Sequence, residues 1–308
     1  MDRQVIATAQ EIRDMKIRGA GKIAREGAEA IGHFARTYQG NDLQQFMEDL
    51  NDAIQELLSS RPTAVSLWNG VHSSVAGVKD ADNVDDAREL IIKQSQEFIK
   101  ESEESIRRIA EIGAKRIEDG DVIMTHCNSS VAIGVITEAY RQGKDIKVYA
   151  TESRPWRQGI LTVNDLSKEG IDTTLIIDSA VRLVMKKVDK VFTGADTVTS
   201  QGNLINKIGT SQVAICANEA RAQFYVCTET YKFSPMTVTG DLVKIEERDI
   251  NEVVSEGEIP SNVKVFNPVF DVTPAKYISG LITELGVISP GAVYGIMERK
   301  FGKELMKE

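Results

Sequence analysis

Apolar residues along the first 118 positions recur at helical spacing. Leu90, Ile91, Ile99, Ile106, Ile109, Ala110 and Ile117 fall mainly on one face of a helix, and Lys, Glu and Arg fill the positions between. Asp85 or Asp86 suits an N-cap, and Gly120 stands where such a helix would stop. The stretches 3–17, 21–39 and 43–59 read the same way. The pattern predicts an all-helical N-terminal domain over 1–118.

Beyond Gly120 short apolar runs alternate with helical ones. The expected strands are Val122–Met124, Ile146–Tyr149, Thr173–Ile177, Lys190–Phe192, Gln223–Val226 and Val263–Val265. The expected helices are 130–142, 160–169, 179–187, 209–220, 274–285 and 290–301. Strand–helix alternation with short links is the mark of a parallel sheet covered on both faces. The fold class is therefore α/β, with a Rossmann-like parallel-sheet domain over 119–308. Ligands of such sheets sit at the carboxyl ends of the strands, so the residues just past each strand are where chemistry is sought. The Glu-rich stretch 246–262, closed by Pro260, reads as a surface excursion.

Charge narrows the partners. Among 308 residues, 37 Lys and Arg face 46 Asp and Glu, a formal net charge of −9. Such a balance excludes a general nucleic-acid binder, and any phosphate must be held by local cations. No apolar run reaches the length of a membrane helix. Charged residues interrupt Met1–Ile17, so no signal-peptide core is expected there. Three cysteines, an odd and sparse number, fit a reducing cytoplasm, and none stands in a CxxC spacing that would suit structural zinc.

Four strand ends are unusually polar. In Thr125-His126-Cys127-Asn128-Ser129-Ser130, Cys127 lies ahead of a helix, where dipole and free N–H groups favour a thiolate; the alternative is a thiol packed as a small hydrophobe. Cys216 and Cys227, among Ala, Ile, Val and Tyr, read as core. Arg154, Arg157 and Gln158 in the next strand-end loop can fork onto a phosphate or carboxylate, or simply face solvent. Asp196 is placed for acid/base work or for capping a helix. Asn206, Lys207 and Gly209 form an anion-binding corner or a turn. Lys232, between aromatics, is a point charge for phosphate or a snorkelling lysine. In the helical part, Arg18-Gly19-Ala20-Gly21 and Arg61-Pro62-Thr63-Ala64 are weaker candidates for phosphate approach. Neither a Walker loop nor a dinucleotide fingerprint is present.

Taken in order, seven motifs carry a resemblance. They are Arg18–Gly21, Arg61–Val65, Thr125–Asn128, Glu152–Pro155 with Gln158-Gly159, Gly194–Asp196, Asn206–Thr210 and Asn267–Pro274. The chain resembles, over residues 15 to 305, the superfamily of sugar-phosphate aldose–ketose isomerases and regulatory subunits of initiation factor 2B. Within it the chain is most similar to the archaeal ribose-1,5-bisphosphate isomerase branch. Regulatory subunits generally lack the Cys–Asp pair, whereas methylthioribose-1-phosphate isomerases share it without the Glu229–Phe233 run. Both remain as alternatives.

The resemblance implies conversion of α-D-ribose 1,5-bisphosphate to D-ribulose 1,5-bisphosphate through an enol(ate), in the degradation of AMP and of nucleosides. It implies Cys127 as base and a protonated Asp196 as acid, the latter needing a raised pKa. It implies substrate contacts from Arg18, Gly19, Ala20, Gly21, Arg61, Ser129, Arg154, Gln158, Asn206, Lys207 and Lys232. No cofactor and no metal are expected. AMP is the suggested activator, and a homo-hexamer built from dimers the suggested assembly, with no nucleic-acid or membrane partner.

Overall fold

The computed structural model describes residues 2–239 and 244–305. By internal contacts the chain divides into two units, Met1–Ser105 and Ile106–Glu308.

The first unit is helical. Helix α1 (Arg3–Arg13) starts at Asp2, whose carboxylate accepts the N–H groups of Gln4 and Val5. Helix α2 (Ala20–Thr37) follows Gly19, and α3 (Leu43–Ser60) is capped by Asp42. Helix α4 (Val65–Ser74) was not expected from the pattern. Seven of its residues, including Ser66, Asn69 and Ser74, are buried, so it has no polar face to reveal its period. Helix α5 (Val84–Ala114) begins earlier than predicted: Asn83, not Asp85 or Asp86, accepts an orphan N–H, that of Asp86. It also ends before Gly120, which sits in the following turn at a φ of 85°. Ile12, Ile23, Ile31, Phe46, Leu50, Leu57, Leu67 and Ile91 are buried together, and each such side chain contributes about 1.5–3 kcal/mol.

In the second unit the chain runs β1 (Val122–Thr125), α6 (Ser130–Arg141), β2 (Lys147–Thr151), α7 (Gly159–Lys168), β3 (Asp172–Ile176), α8 (Val181–Val184) and β4 (Lys190–Thr193). It continues through β5 (Thr197–Val198), β6 (Leu204–Lys207), α9 (Thr210–Ala220), β7 (Gln223–Cys227), β8 (Phe270–Thr273), β9 (Gly280–Thr283), β10 (Gly286–Ile288) and α10 (Val293–Leu305). The main sheet has the order β10-β9-β7-β4-β1-β2-β3. Its strands are parallel except β10, which turns back on β9. Alternate side chains feed two cores. Met124, Val191, Phe224, Val226 and Leu281 join one; Ile123, Val148, Phe192, Tyr225 and Ile282 join the other. This is the α/β class read from the sequence.

A second, antiparallel sheet, β5-β6-β8, was not foreseen. It hangs from the carboxyl end of β4, since Asp196 N–H donates to the carbonyl of Ile205 at 3.1 Å. Two other expectations fail. Val263–Val265 is not a strand: Val263 is exposed and the segment joins no sheet among the described residues. Positions 274–285 hold β9 rather than a helix, because Leu281 and Ile282 are both buried between neighbouring strands. Among the described residues no helix is long and apolar enough to cross a membrane.

Candidate active site

The carboxyl edge of the main sheet gathers the polar strand ends. Cys127 follows β1 with a φ of 66°, a left-handed conformation that costs a non-glycine residue about 1–3 kcal/mol. Two hydroxyls hold it there. Its N–H donates to Ser153 Oγ at 2.8 Å, and its carbonyl accepts from Thr162 Oγ1 at 2.8 Å. Asn128 Nδ2 donates to the same Thr162 hydroxyl at 3.1 Å. Asp178, past β3, then fixes the neighbouring loop by accepting the N–H groups of Ser153 and Arg154, each at 2.8 Å.

A second corner faces this one from β6. Lys207 ends that strand half-buried, with its ammonium 5.4 Å from the ring centroid of Phe270. Among the described residues no carboxylate lies within ion-pair distance of it, so its charge is free to act on the site. Asn206 is buried, and its amide donates to Thr210 Oγ1 at 3.0 Å. Gly209 has a φ of 103°, and a Cβ there would stand 2.9 Å from His126 Cε1. Both the backbone and the imidazole thus require glycine. Asp271 caps α9, accepting from Gly209 N–H at 2.8 Å and Ser211 N–H at 3.1 Å. Burial lifts its carboxyl to about 6 against those two donors.

Electrostatics at Cys127 differ from the expectation of a resting thiolate. Burial pushes the thiol up to about 11; Lys207 and the Asn128 backbone pull it down, and Asp196 and Asp178 push it further up. The nearby N–H helps as anticipated, but desolvation outweighs it. One reason is position: Ser129 is the N-cap of α6, accepting from Ala132 N–H, so Cys127 lies two residues outside the helix. Asp196 and Lys207 thus act on the one thiol with opposite signs.

The other candidates divide. Ser129 is committed to its cap and packs where a Cβ on Gly194 would collide with its Oγ. Arg154 is exposed at the end of β2. Gln158 has a buried Oε1 with no hydrogen-bond partner among the described residues. Lys232 is buried past β7, and its Nζ lies 2.7 Å from Glu229 Oε2. Glu229 also accepts from Tyr231 OH at 2.9 Å, and Lys232 holds its carboxyl below the usual range despite burial. Lys232 is therefore no free cation but half of a buried pair. Cys227 is buried in one core of the second unit, as expected; Cys216 is half-buried against the other.

Arg18, Gly19, Ala20, Gly21 and Arg61 belong to the helical unit. There Ser66 Oγ donates to the carbonyl of Ala20 at 2.9 Å, which sets the start of α4 beside the start of α2. Gly19 has a φ of 86° and open space around its Cα. Sequence reasoning passed over Thr162, Asp178, Asp271 and Glu229. Asp178 was findable as a carboxylate directly after a strand; Glu229 and Thr162 carry no signal until the fold pairs them.

Comparison with known proteins shows the family. The chain is 49% identical over 299 residues to the ribose 1,5-bisphosphate isomerase of Archaeoglobus fulgidus, covering 97% of this chain and 94% of that one. It is 48% identical over 295 residues to the protein of the same name from Methanocaldococcus jannaschii, covering 96% and 94%. Its fold matches a crystal structure of Pyrococcus horikoshii OT3 described as translation initiation factor eIF-2B, with a TM-score of 0.81 and 34% identity over 94% of this chain and 98% of that one. The model of the initiation factor 2 subunit family matches residues 16–290, and the chain belongs to that family.

Proposed function

We infer that this protein is a sugar-phosphate aldose–ketose isomerase that converts α-D-ribose 1,5-bisphosphate into D-ribulose 1,5-bisphosphate, with Cys127 as base and Asp196 as acid. The observation that carries the reading is the convergence of Asp196 and Lys207 on the Cys127 thiol, in a chain so similar to isomerases of that name.

The chemistry explains the residue types. Phosphate on the anomeric oxygen prevents free opening of the sugar ring. Asp196 as carboxylic acid gives its proton to the ring oxygen as the bond from that oxygen to carbon 1 breaks. Cys127 as thiolate takes the proton from carbon 2, and the electrons of that C–H bond form the carbon 1–carbon 2 double bond. The carbon 2 hydroxyl then returns a proton to the Asp196 carboxylate, and the Cys127 thiol reprotonates carbon 1. Both residues are regenerated, and no electrons leave the substrate. The reactive pair is a Cys127 thiolate and an Asp196 carboxylic acid.

Lys207 lowers the cost of the thiolate and of the enolate formed beside it. The partnerless Gln158 oxygen suits a substrate hydroxyl. For the phosphates and remaining hydroxyls the reading keeps Arg154 and Asn206, with Arg18, the Gly19–Gly21 backbone and Arg61 as the candidates of the helical unit; Ser129 and Lys232, committed to a helix cap and a buried ion pair, are withdrawn, and anchoring both ends of the substrate fixes the carbon 2 proton against the base. The same reading takes a cytoplasmic homo-hexamer of dimers as the working form and AMP as its activator. A coupled assay with ribose 1,5-bisphosphate, with and without AMP, tests it, with methylthioribose 1-phosphate as comparator. Turnover of the bisphosphate alone, raised by AMP, is the expected result. Turnover of the methylthio sugar alone would replace this reading, and sedimentation of the active sample reads the assembly.

A further inference from the structure

His126 was passed over by every role above, yet it is 1% exposed and sits between the two halves of the site. Its Nε2 is 2.8 Å from the carbonyl of Ile208, and its Nδ1 is 2.6 Å from Thr151 Oγ1. A carbonyl only accepts, so Nε2 carries the hydrogen. A neutral ring must then accept at Nδ1, so the Thr151 hydroxyl donates to it. Thr151 Oγ1 lies 3.2 Å from Ser153 Oγ, which itself accepts the Cys127 N–H. The bonds therefore run in one direction, from Cys127 N–H to Ser153, to Thr151, to His126 and on to Ile208, next to Lys207.

We propose that His126 is a positioning residue for the isomerisation: a neutral imidazole, protonated on Nε2, that ties the left-handed backbone of Cys127 to the Lys207–Gly209 corner. It touches no reacting atom. It sets how far the Lys207 charge stands from the thiol. The surroundings keep the ring neutral. Burial pushes its pKa down, Lys207 adds to this, and Asp178 and the Ile208 carbonyl oppose them without prevailing. Gly209 completes the seat, since any Cβ there would strike the ring. A cationic histidine would lose the Thr151 donor bond and set a second positive charge beside Lys207.

This inference rests on Cys127 as the base, and its test separates the two. Histidine-selective nitrogen-15 NMR of the full chain, with His126→Gln to assign the signal among His33, His72 and His126, reads the tautomer directly. Hydrogen on Nε2 of a neutral ring is expected; hydrogen on Nδ1, or an imidazolium at neutral pH, overturns the proposal. Kinetics on ribose 1,5-bisphosphate give the second reading. His126→Phe keeps the shape without the bonds and should lower kcat by about 10²-fold, the cost of a misplaced reacting group. His126→Gln keeps an N–H donor for Ile208 and should recover about tenfold of that, the worth of one such bond. A folded Phe variant within about twofold of wild type, or a Gln variant no better than Phe, overturns the role. Should the Phe variant fail to fold, Thr151→Val decides instead. It should cost about tenfold in kcat and move the Nδ1 resonance of His126, and no change in either overturns the chain of bonds. Wild-type protein inactive on the sugar would overturn the proposed function, while the tautomer would still decide the bridge.

Discussion

The most exposed physical claim concerns the proton on Cys127. Its displacement from 9.0 to about 11 corresponds to about 2.7 kcal/mol against the thiolate. At pH 7.5 that leaves roughly three thiolates in ten thousand, where an unperturbed cysteine would hold about three in a hundred. Only thiolate reacts with iodoacetamide. Alkylation of Cys127, followed on its own peptide by mass spectrometry to separate it from Cys216, should thus run about 100-fold slower than a model thiol. The rate should climb tenfold per pH unit from 7 to 10 without levelling. The neighbours make the test sharper, because they act with opposite signs. Lys207→Met removes the charge that favours the thiolate and should slow alkylation at every pH. Asp196→Asn removes a charge that opposes it and should speed alkylation. A plateau near pH 8.5 in wild type would refute the dominance of burial. Two variants moving the same way would refute the arrangement of the charges.

The buried pair past β7 and the glycine under His126 make further predictions. Lys232→Met strands Glu229 in the core and should cost about 3–5 kcal/mol in urea unfolding, with Glu229→Gln in the same chain restoring most of it; no loss from the single change would mean the pair is not buried as described. Gly209→Ala should cost about 1–3 kcal/mol and lower kcat as well, since both φ and the imidazole resist the Cβ; an unchanged melting temperature would contradict that crowding.

Much of the fold was legible because its central strands are buried on both faces. β1, β2, β4 and β7 show as short apolar runs, and helices with a clear period follow β1 and β2 directly. The same burial misled elsewhere. Ile278, Leu281, Ile282 and Leu285 stand at helical spacing, yet they span β9 and its turn, with Leu281 and Ile282 inside and Leu285 exposed. Helix α4 was hidden for the reverse reason, being buried nearly all round. The small sheet β5-β6-β8 pairs strands of two to four residues, too short for any period to show.

The site was legible where its residues end strands. Cys127, Asp196, Asn206 and Lys207 stand out by position and polarity. Their partners did not, because partnership is a property of the fold. Thr162 belongs to α7, Ser153 to the loop after β2 and Asp271 to β8, and only the sheet order brings them to Cys127 and Gly209. The state of the thiol was misjudged from sequence for the same reason: a helix N-terminus is visible in the chain, and desolvation is not.

The measurement closest to the centre of the account is turnover of ribose 1,5-bisphosphate by purified wild type, Cys127→Ser and Asp196→Asn, followed by phosphorus NMR with circular dichroism on each sample. Wild type should form ribulose 1,5-bisphosphate, and both variants should be folded and inactive. A folded variant of either kind turning over near the wild-type rate would contradict the assignment of base and acid.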